Sequence, residues 1–330
     1  MDEISALGRA HGKIILMGEH AVVYGEPSIA LPFPAVEVQV SVKNIDGPLR
    51  VDCSFYHGIA DEMPEVLESL RIAIQSALTS LDKPYAHIAI EIESSIPPER
   101  GMGSSAAVAV AVTRAIYRYF NHDLEMSTLL DLVHISEKIA HGNPSGLDAA
   151  MTSGNTPLYY RKGQPFIPFQ LNMNGYLVVG DTGVTGQTKE AVQSIADKLA
   201  TTEKETTQKR IHELGVLAED AKKALQKDNP VALGEAMNHA HLLLSQLGVS
   251  NDELNHLVLT AKRAGALGAK LTGGGRGGCM IALSKSAAGA KKFKKHWKML
   301  VLYKHGTYHL NRRLTNEASR SSCPYKYCFN

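Results

Sequence analysis

Two glycines and two serines stand directly ahead of a helix-length apolar run, in the stretch Pro97-Pro98-Glu99-Arg100-Gly101-Met102-Gly103-Ser104-Ser105-Ala106-Ala107. Glycine lets the backbone enter turns closed to other residues, so that successive N–H groups can face one point. A helix that starts there adds the positive end of its dipole, and the two together make an anion site. The serine hydroxyls can donate to phosphate oxygens or ligate a hard cation such as Mg²⁺. The stretch predicts a loop around a phosphorylated ligand. Behind it, residues 106–120 are apolar nearly all round until Thr113, Arg114 and Arg118, which predicts a buried helix.

Elsewhere the hydrophobic period changes along the chain. Residues 12–17 read as a short buried strand. Val36 to Val42 and His87 to Glu93 alternate apolar and polar side chains, as half-exposed strands of an antiparallel or mixed sheet do. Residues 64–81 carry helical spacing. Ser127 is placed to cap a helix in which Leu129, Leu130, Val133 and Ile139 share a face, ending near Gly142. Tyr176 to Gly180 is a short strand, 188–227 is helical with a break at Thr201 to Lys209, and 252–264 is helical with Gly265 as its stop. A loop over 272–278 then leads into a strand at 279–283. Strands first and helices later, with few βαβ units, predict an α+β protein of two domains split near residue 175.

Gly101-x-Gly103-x-x-Ala106 and Gly273-x-Gly275-x-x-Gly278 both fit the dinucleotide fingerprint on paper. The second runs into a strand where the fingerprint needs a helix. The first follows an alternating strand, whereas parallel Rossmann strands are almost continuously apolar. No Gly-x-x-x-x-Gly-Lys-[Ser/Thr] occurs, which excludes a P-loop. Five glycines within residues 273–278 are costly in backbone entropy unless close approach is needed. That loop, with Arg276 inside it, reads either as a surface turn or as a second wall packed on the first loop around a polyphosphate.

The 330 residues carry a formal charge of only +2, so nothing suggests capture of nucleic acid or an anionic membrane surface. Residues 1–13 contain no signal-like apolar run, and the apolar stretch 106–112 is far too short to span a bilayer. Cys53, Cys279, Cys323 and Cys328 lack metal-ligand spacing and read as reduced thiols of a cytoplasmic protein.

Three segments taken together are more specific than any one: Gly12-Lys13-Ile14-Ile15-Leu16-Met17-Gly18-Glu19-His20-Ala21-Val22-Val23-Tyr24-Gly25, Pro97 to Ala107, and Lys270-Leu271-Thr272-Gly273-Gly274-Gly275-Arg276-Gly277-Gly278. In this order and at these separations they resemble the GHMP small-molecule kinases, from about Arg9 to about Ala290. Residues 18–25 and His141-Gly142-Asn143-Pro144-Ser145-Gly146-Leu147-Asp148 are similar to the mevalonate kinases within that superfamily. The resemblance implies a two-domain α+β GHMP fold, with a ribosomal-protein-like N-terminal half over 1–175 and a ferredoxin-like C-terminal half over 176–290. It implies ATP and Mg²⁺ as cofactors, mevalonate as acceptor, and a monomer or homodimer without nucleic-acid or membrane partners. Another GHMP kinase, acting on phosphomevalonate or homoserine, or a non-catalytic metabolite binder, stays open beside this reading.

By the same resemblance Asp148 is the catalytic aspartate that takes the acceptor hydroxyl's proton, and Lys13 lies beside it and the transferred phosphate. Ser105 and Glu137 hold Mg²⁺. Pro97, Arg100, Gly101, Met102, Gly103, Ser104, Ser105, Ala106, Gly273, Gly274 and Gly275 surround the nucleotide, and Glu19 and His20 join Lys13 and Asp148 at mevalonate. Each residue has a plainer alternative. Asp148 could cap a helix, Lys13 could be a strand-edge lysine reaching solvent, Glu137 a solvated helix glutamate, and His20 a hydrogen-bonded structural histidine. His141 and Tyr24 rank behind His20 as candidates for the same pocket, and Thr182 and Gly183, which open the second half near it, receive no role.

From about residue 291 the composition changes, with Lys, His, Tyr and Arg crowding into 296–330. The codons permitted for 296–309, read one base out of frame, allow the Gly-Ala turn and Thr-Trp strand with which the resembling family ends. This predicts an atypical, frameshifted tail over 291–330 and the loss of an element covering the second sheet, with a genuine basic tail that binds something acidic as the plainer alternative.

Overall fold

The computed structural model describes residues 6–142, 144–294 and 301–305. Its first sheet contains β1 (Ala6–Met17), β2 (Ser28–Pro48), β3 (Arg50–Cys53), β4 (Tyr56–Ile59), β5 (Ala86–Ser94), β6 (Leu158–Tyr160) and β7 (Ile167–Pro168). The order is β4-β3-β5-β2-β6-β7, with β1 also paired to β2. The long β2 is the spine. It runs antiparallel to β1 from Ala6↔Val42 to Met17↔Ile29, to β5 at Val38↔Ser94, and to β6 at Ser28↔Tyr160. Only β3 and β5 run parallel among the described pairs, so the sheet is mixed.

In β1 the burial alternates up to His11 and then becomes continuous from Gly12 to Met17, where the strand is covered on both faces. The alternation in its first half is weak in the sequence, which is why residues 12–17 alone read as a strand. Helices α1 (Glu68–Ser80), α2 (Ser104–Tyr119), α3 (Met126–His141) and α4 (Leu147–Ser153) cover this sheet. The small side chains of α2 let it lie close on β1, and residues from Ala106 to Tyr117 are buried nearly all round. Arg114 anchors it by donating to the carbonyls of Arg9 and Ser153, each at 2.7 Å.

The second sheet has the order β11-β8-β10-β9, all antiparallel, from β8 (Gly175–Asp181), β9 (Gly268–Thr272), β10 (Cys279–Ser284) and β11 (Val301–His305). Its helices are α5 (Thr188–Leu199), α6 (Lys204–Gln226), α7 (Pro230–Leu247), α8 (Asp252–Arg263) and α9 (Ala287–Lys294). The fold is α+β, as the order of patterns predicts.

Several local expectations are corrected. The cap of α3 is Glu125, not Ser127, and Ile139 is 53% exposed, because the face of α3 turned to the core carries Leu129, Leu132 and Val133. The break expected in the 188–227 pattern lies at 200–203, and α6 begins at Lys204 inside the polar tract, where Thr207 is already buried. Helix α7 has no counterpart in the sequence reading, although its signals were present: Asn229 accepts from the Ala232 N–H, Pro230 opens the helix, and Gly248 closes it. Where the tail was expected to cost the second sheet an element, β11 pairs with β8 from Val301↔Val179 to His305↔Gly175. The remaining tail, 295–300 and 306–330, lies outside the described residues.

Candidate active site

Lys13 sits where β1 is buried on both faces, and it is only 5% exposed, which rules out a side chain reaching solvent. Its main-chain N–H donates to the Met102 carbonyl at 3.0 Å, tying the 97–105 loop to β1. Its ammonium meets Asp148 Oδ1 at 3.1 Å. Asp148 stands in the first turn of α4, whose N-cap is Gly146 in the left-handed region. The Asp148 side chain is 35% exposed, so a reactant can reach it.

Glu137 reaches the same place from α3. At 3% exposure it is not a solvated helix glutamate. The Ser105 hydroxyl hydrogen-bonds to its carboxylate, yet Oε1 has no hydrogen-bond partner, His141 Nε2 being 3.8 Å away. Burial, with the Asp148 charge adding to it, pushes the Glu137 carboxyl up to about 7. Two carboxylates, one hydroxyl and one ammonium therefore converge from β1, α2, α3 and α4.

The two glycine loops close over one another. A Cβ on Gly101 would lie 3.0 Å from the Gly273 Cα, and one on Gly103 would lie 2.9 Å from the Lys13 Cγ. Gly103 is also the N-cap of α2, in the left-handed region and with no side-chain cap, so the first N–H groups at Ser104, Ser105 and Ala106 take no side-chain cap. Met102 and Ala106 are buried beneath, and Pro97 is half-buried. The Arg100 guanidinium is turned away to Asp181 of β8, with Nε 3.1 Å from Oδ1 and both groups buried. Arg276 likewise donates from Nε to the Gly248 carbonyl at 3.0 Å, so its part is to hold the second loop. Thr182 braces that loop from β8 by donating to the Gly278 carbonyl, and Gly183 N–H donates to Asp181.

Glu19 and His20 occupy the turn after β1. His20 is buried and donates from Nε2 to the Gly274 carbonyl at 3.0 Å, the structural role left open above; burial pushes its pKa down to about 4. Glu19 is buried against the Lys270 ammonium, a partner the sequence reading did not assign. The signal available in the sequence is a lysine inside an otherwise apolar strand, a costly placement unless an anion meets it. Tyr24 is 39% exposed and the His141 side chain is 53% exposed. Asn143 lies outside the described residues.

The arrangement of two glycine loops around a lysine–aspartate pair has counterparts. The family model of the GHMP kinases N terminal domain matches residues 67–155, and that of the GHMP kinases C terminal matches residues 221–299. Together with the site they define the class, a GHMP kinase. The chain is 36% identical over 302 residues to the mevalonate kinase of Pyrococcus horikoshii, covering 84% of this chain and 88% of that protein. It is 37% identical over 300 residues to the mevalonate kinase of Thermococcus onnurineus, covering 84% and 89%. Its fold matches the crystal structure of L. major mevalonate kinase in complex with R-mevalonate with a TM-score of 0.78 at 27% identity, over 91% of this chain and 94% of that one. The chain belongs to the mevalonate kinase family.

Proposed function

We propose that this protein transfers the γ-phosphate of ATP to the C5 hydroxyl of mevalonate, giving 5-phosphomevalonate and ADP. The observation that carries the reading is the 3.1 Å contact of Lys13 with Asp148 beside the first turn of α2, in a chain so similar to the mevalonate kinases. In this reading the triphosphate lies between the loops at 97–106 and 273–275, held by main-chain donors at Gly101, Gly103 and Ser104. Asp148 orients the acceptor hydroxyl and takes its proton. Phosphoryl transfer through a loose transition state needs that proton removed only late, so placement matters more than basicity. Lys13 holds Asp148 and faces the charge that builds on the transferred group. Glu19 and His20 border the mevalonate side.

Among the described residues no group of three or more His, Cys, Asp or Glu side chains is set to hold a metal. Mg²⁺ does not need one, since it keeps several waters and takes one or two protein oxygens plus phosphate. The buried Glu137, with one oxygen unpartnered and Ser105 on the carboxylate, fits that sparse demand. Ser105 and Glu137 would hold the ion. When bound, Mg²⁺ neutralises charge on the phosphate oxygens.

We read the chain as two units divided near residue 175, each built on one of the sheets, working in the cytoplasm as a monomer or homodimer without nucleic-acid or membrane partners. Among the described residues no helix is long and apolar enough to cross a membrane. ADP release measured by a coupled assay with mevalonate, phosphomevalonate, homoserine and galactose tests the reading. Turnover of mevalonate above the other three is expected, and turnover of homoserine without mevalonate contradicts it.

A further inference from the structure

Lys270 lies in β9, where all five residues are buried, and its side chain is 0% exposed. Its ammonium donates to Glu19 Oε1 and to the Leu271 carbonyl, the latter at 2.6 Å. Glu19 is equally enclosed, and its other oxygen, Oε2, has no partner among the described residues.

This pair is one rung of a seam. Two residues on from Lys270, Thr272 Oγ1 donates to the Ile15 carbonyl at 2.8 Å and accepts from the Ile15 N–H at 3.2 Å. Two residues further, the Gly274 carbonyl accepts from His20. Alternate residues of a strand point to one face, so one face of β9 and its continuation grips the end of β1 and the turn beyond it. From behind, the Leu271 N–H donates to His241 Nδ1 at 3.3 Å, and His241 Nε2 donates to Asn255 at 3.1 Å. The gripped turn resists its own backbone: His20, which is not glycine, has φ 60.

An ion pair this deep is a poor way to gain stability, since apolar side chains of similar volume do as well or better. Its distinctive product is a carboxyl group fixed in one orientation, with one acceptor oxygen left over. We infer that Lys270 is a positioning residue: it aims Glu19, and with it the Gly18–His20 turn, at a hydroxyl of the acceptor. The inference rests on the reading that Glu19 and His20 border mevalonate.

The test uses the full chain and three variants, Lys270→Met, Glu19→Gln and the double variant, with KM for mevalonate and for ATP measured separately. Wild-type turnover of mevalonate comes first; its absence defeats the substrate reading and the inference with it. Given turnover, Lys270→Met raises the mevalonate KM about tenfold to a hundredfold and leaves the ATP KM within about twofold. In the double variant the buried charge left by the single change is gone. It therefore folds even where Lys270→Met does not, and its mevalonate KM equals that of Glu19→Gln alone. An unchanged mevalonate KM in Lys270→Met, or in the double variant, overturns the inference, and so does an equal rise in both KM values.

Discussion

The Lys13 ammonium lies 3.1 Å from Asp148 and, from the same centre, opposes the rise that burial and the Asp148 charge impose on the Glu137 carboxyl, so one buried lysine serves two carboxylates on different helices. Lys13→Met leaves those carboxylates facing each other without a counter-charge. The expected loss in kcat is about a hundredfold to a thousandfold, the range for removing one preorganised donor at a phosphoryl or oxyanion site. Steady-state rates at saturating ATP measure it. A kcat within about twofold of wild type contradicts a role for Lys13 in the reaction.

Glu137→Gln has two consequences of opposite sign. The Mg²⁺ concentration needed for half-maximal rate rises about tenfold or more, because a charged oxygen donor is replaced by a neutral amide. The ligand-free protein becomes more stable at alkaline pH. In the native fold the Glu137 carboxyl titrates at about 7 against 4.5 when exposed, so its burial opposes folding progressively as pH rises through that interval. Removing the charge recovers about 1–3 kcal/mol near pH 8, read by urea denaturation without nucleotide. Equal stability of the two proteins at that pH contradicts the burial argument.

Gly101 tests the closing of the two loops. It has φ +76, and a Cβ there would lie 3.0 Å from the Gly273 Cα and 3.3 Å from the Gly274 nitrogen. Gly25, at φ +88 with open space around it, carries the same left-handed strain without the contact. Each alanine costs about 1–2 kcal/mol for the backbone conformation. Only Gly101→Ala also pries the loops apart, so it raises the ATP KM about tenfold while Gly25→Ala leaves it unchanged. Similar ATP KM values in the two variants count against the loops' joint role.

Two buried histidines predict an acid limit. Burial pushes both His20 and His241 down to about 4 from an ordinary 6.5. The unfolded chain takes up a proton at each as pH falls below 6.5 while the native fold does not, so stability declines from there towards pH 4. The loss is about 1–2 kcal/mol per histidine between pH 6.5 and about pH 5. Glu137 takes up its proton in the fold over the same range and offsets about one histidine's share. Denaturation midpoints are therefore compared in a Glu137→Gln background, where His241→Gln roughly halves the slope. An unchanged slope in that variant contradicts the assignment.

The sequence and the structure agree best where a residue type is expensive. A lysine in an apolar strand and a run of glycines between structured segments both demand a reason, and Lys13 and the loops at 101–103 and 273–275 meet at the site. Agreement fails where the same chemistry serves two ends. Arg100 and Arg276 look like phosphate ligands in a glycine-rich setting, yet their guanidinium groups brace Asp181 and the Gly248 carbonyl. Pairing between remote segments carries no local signal: Glu19 and Lys270 are 251 residues apart, and only the juxtaposition of β1 with β9 joins them. Helix α7 was missed for a different reason, its apolar residues being too many to show one face.

The account stands on Asp148 acting on mevalonate at this centre. Mass spectrometry of the product from ATP and mevalonate, with wild-type chain and Asp148→Asn assayed side by side, tests it most directly. The expected result is 5-phosphomevalonate from the wild type, with kcat for Asp148→Asn lower by about a hundredfold to ten-thousandfold at nearly unchanged ATP affinity. Product formed at the same rate by both proteins, or no phosphorylated mevalonate from the wild type, contradicts it.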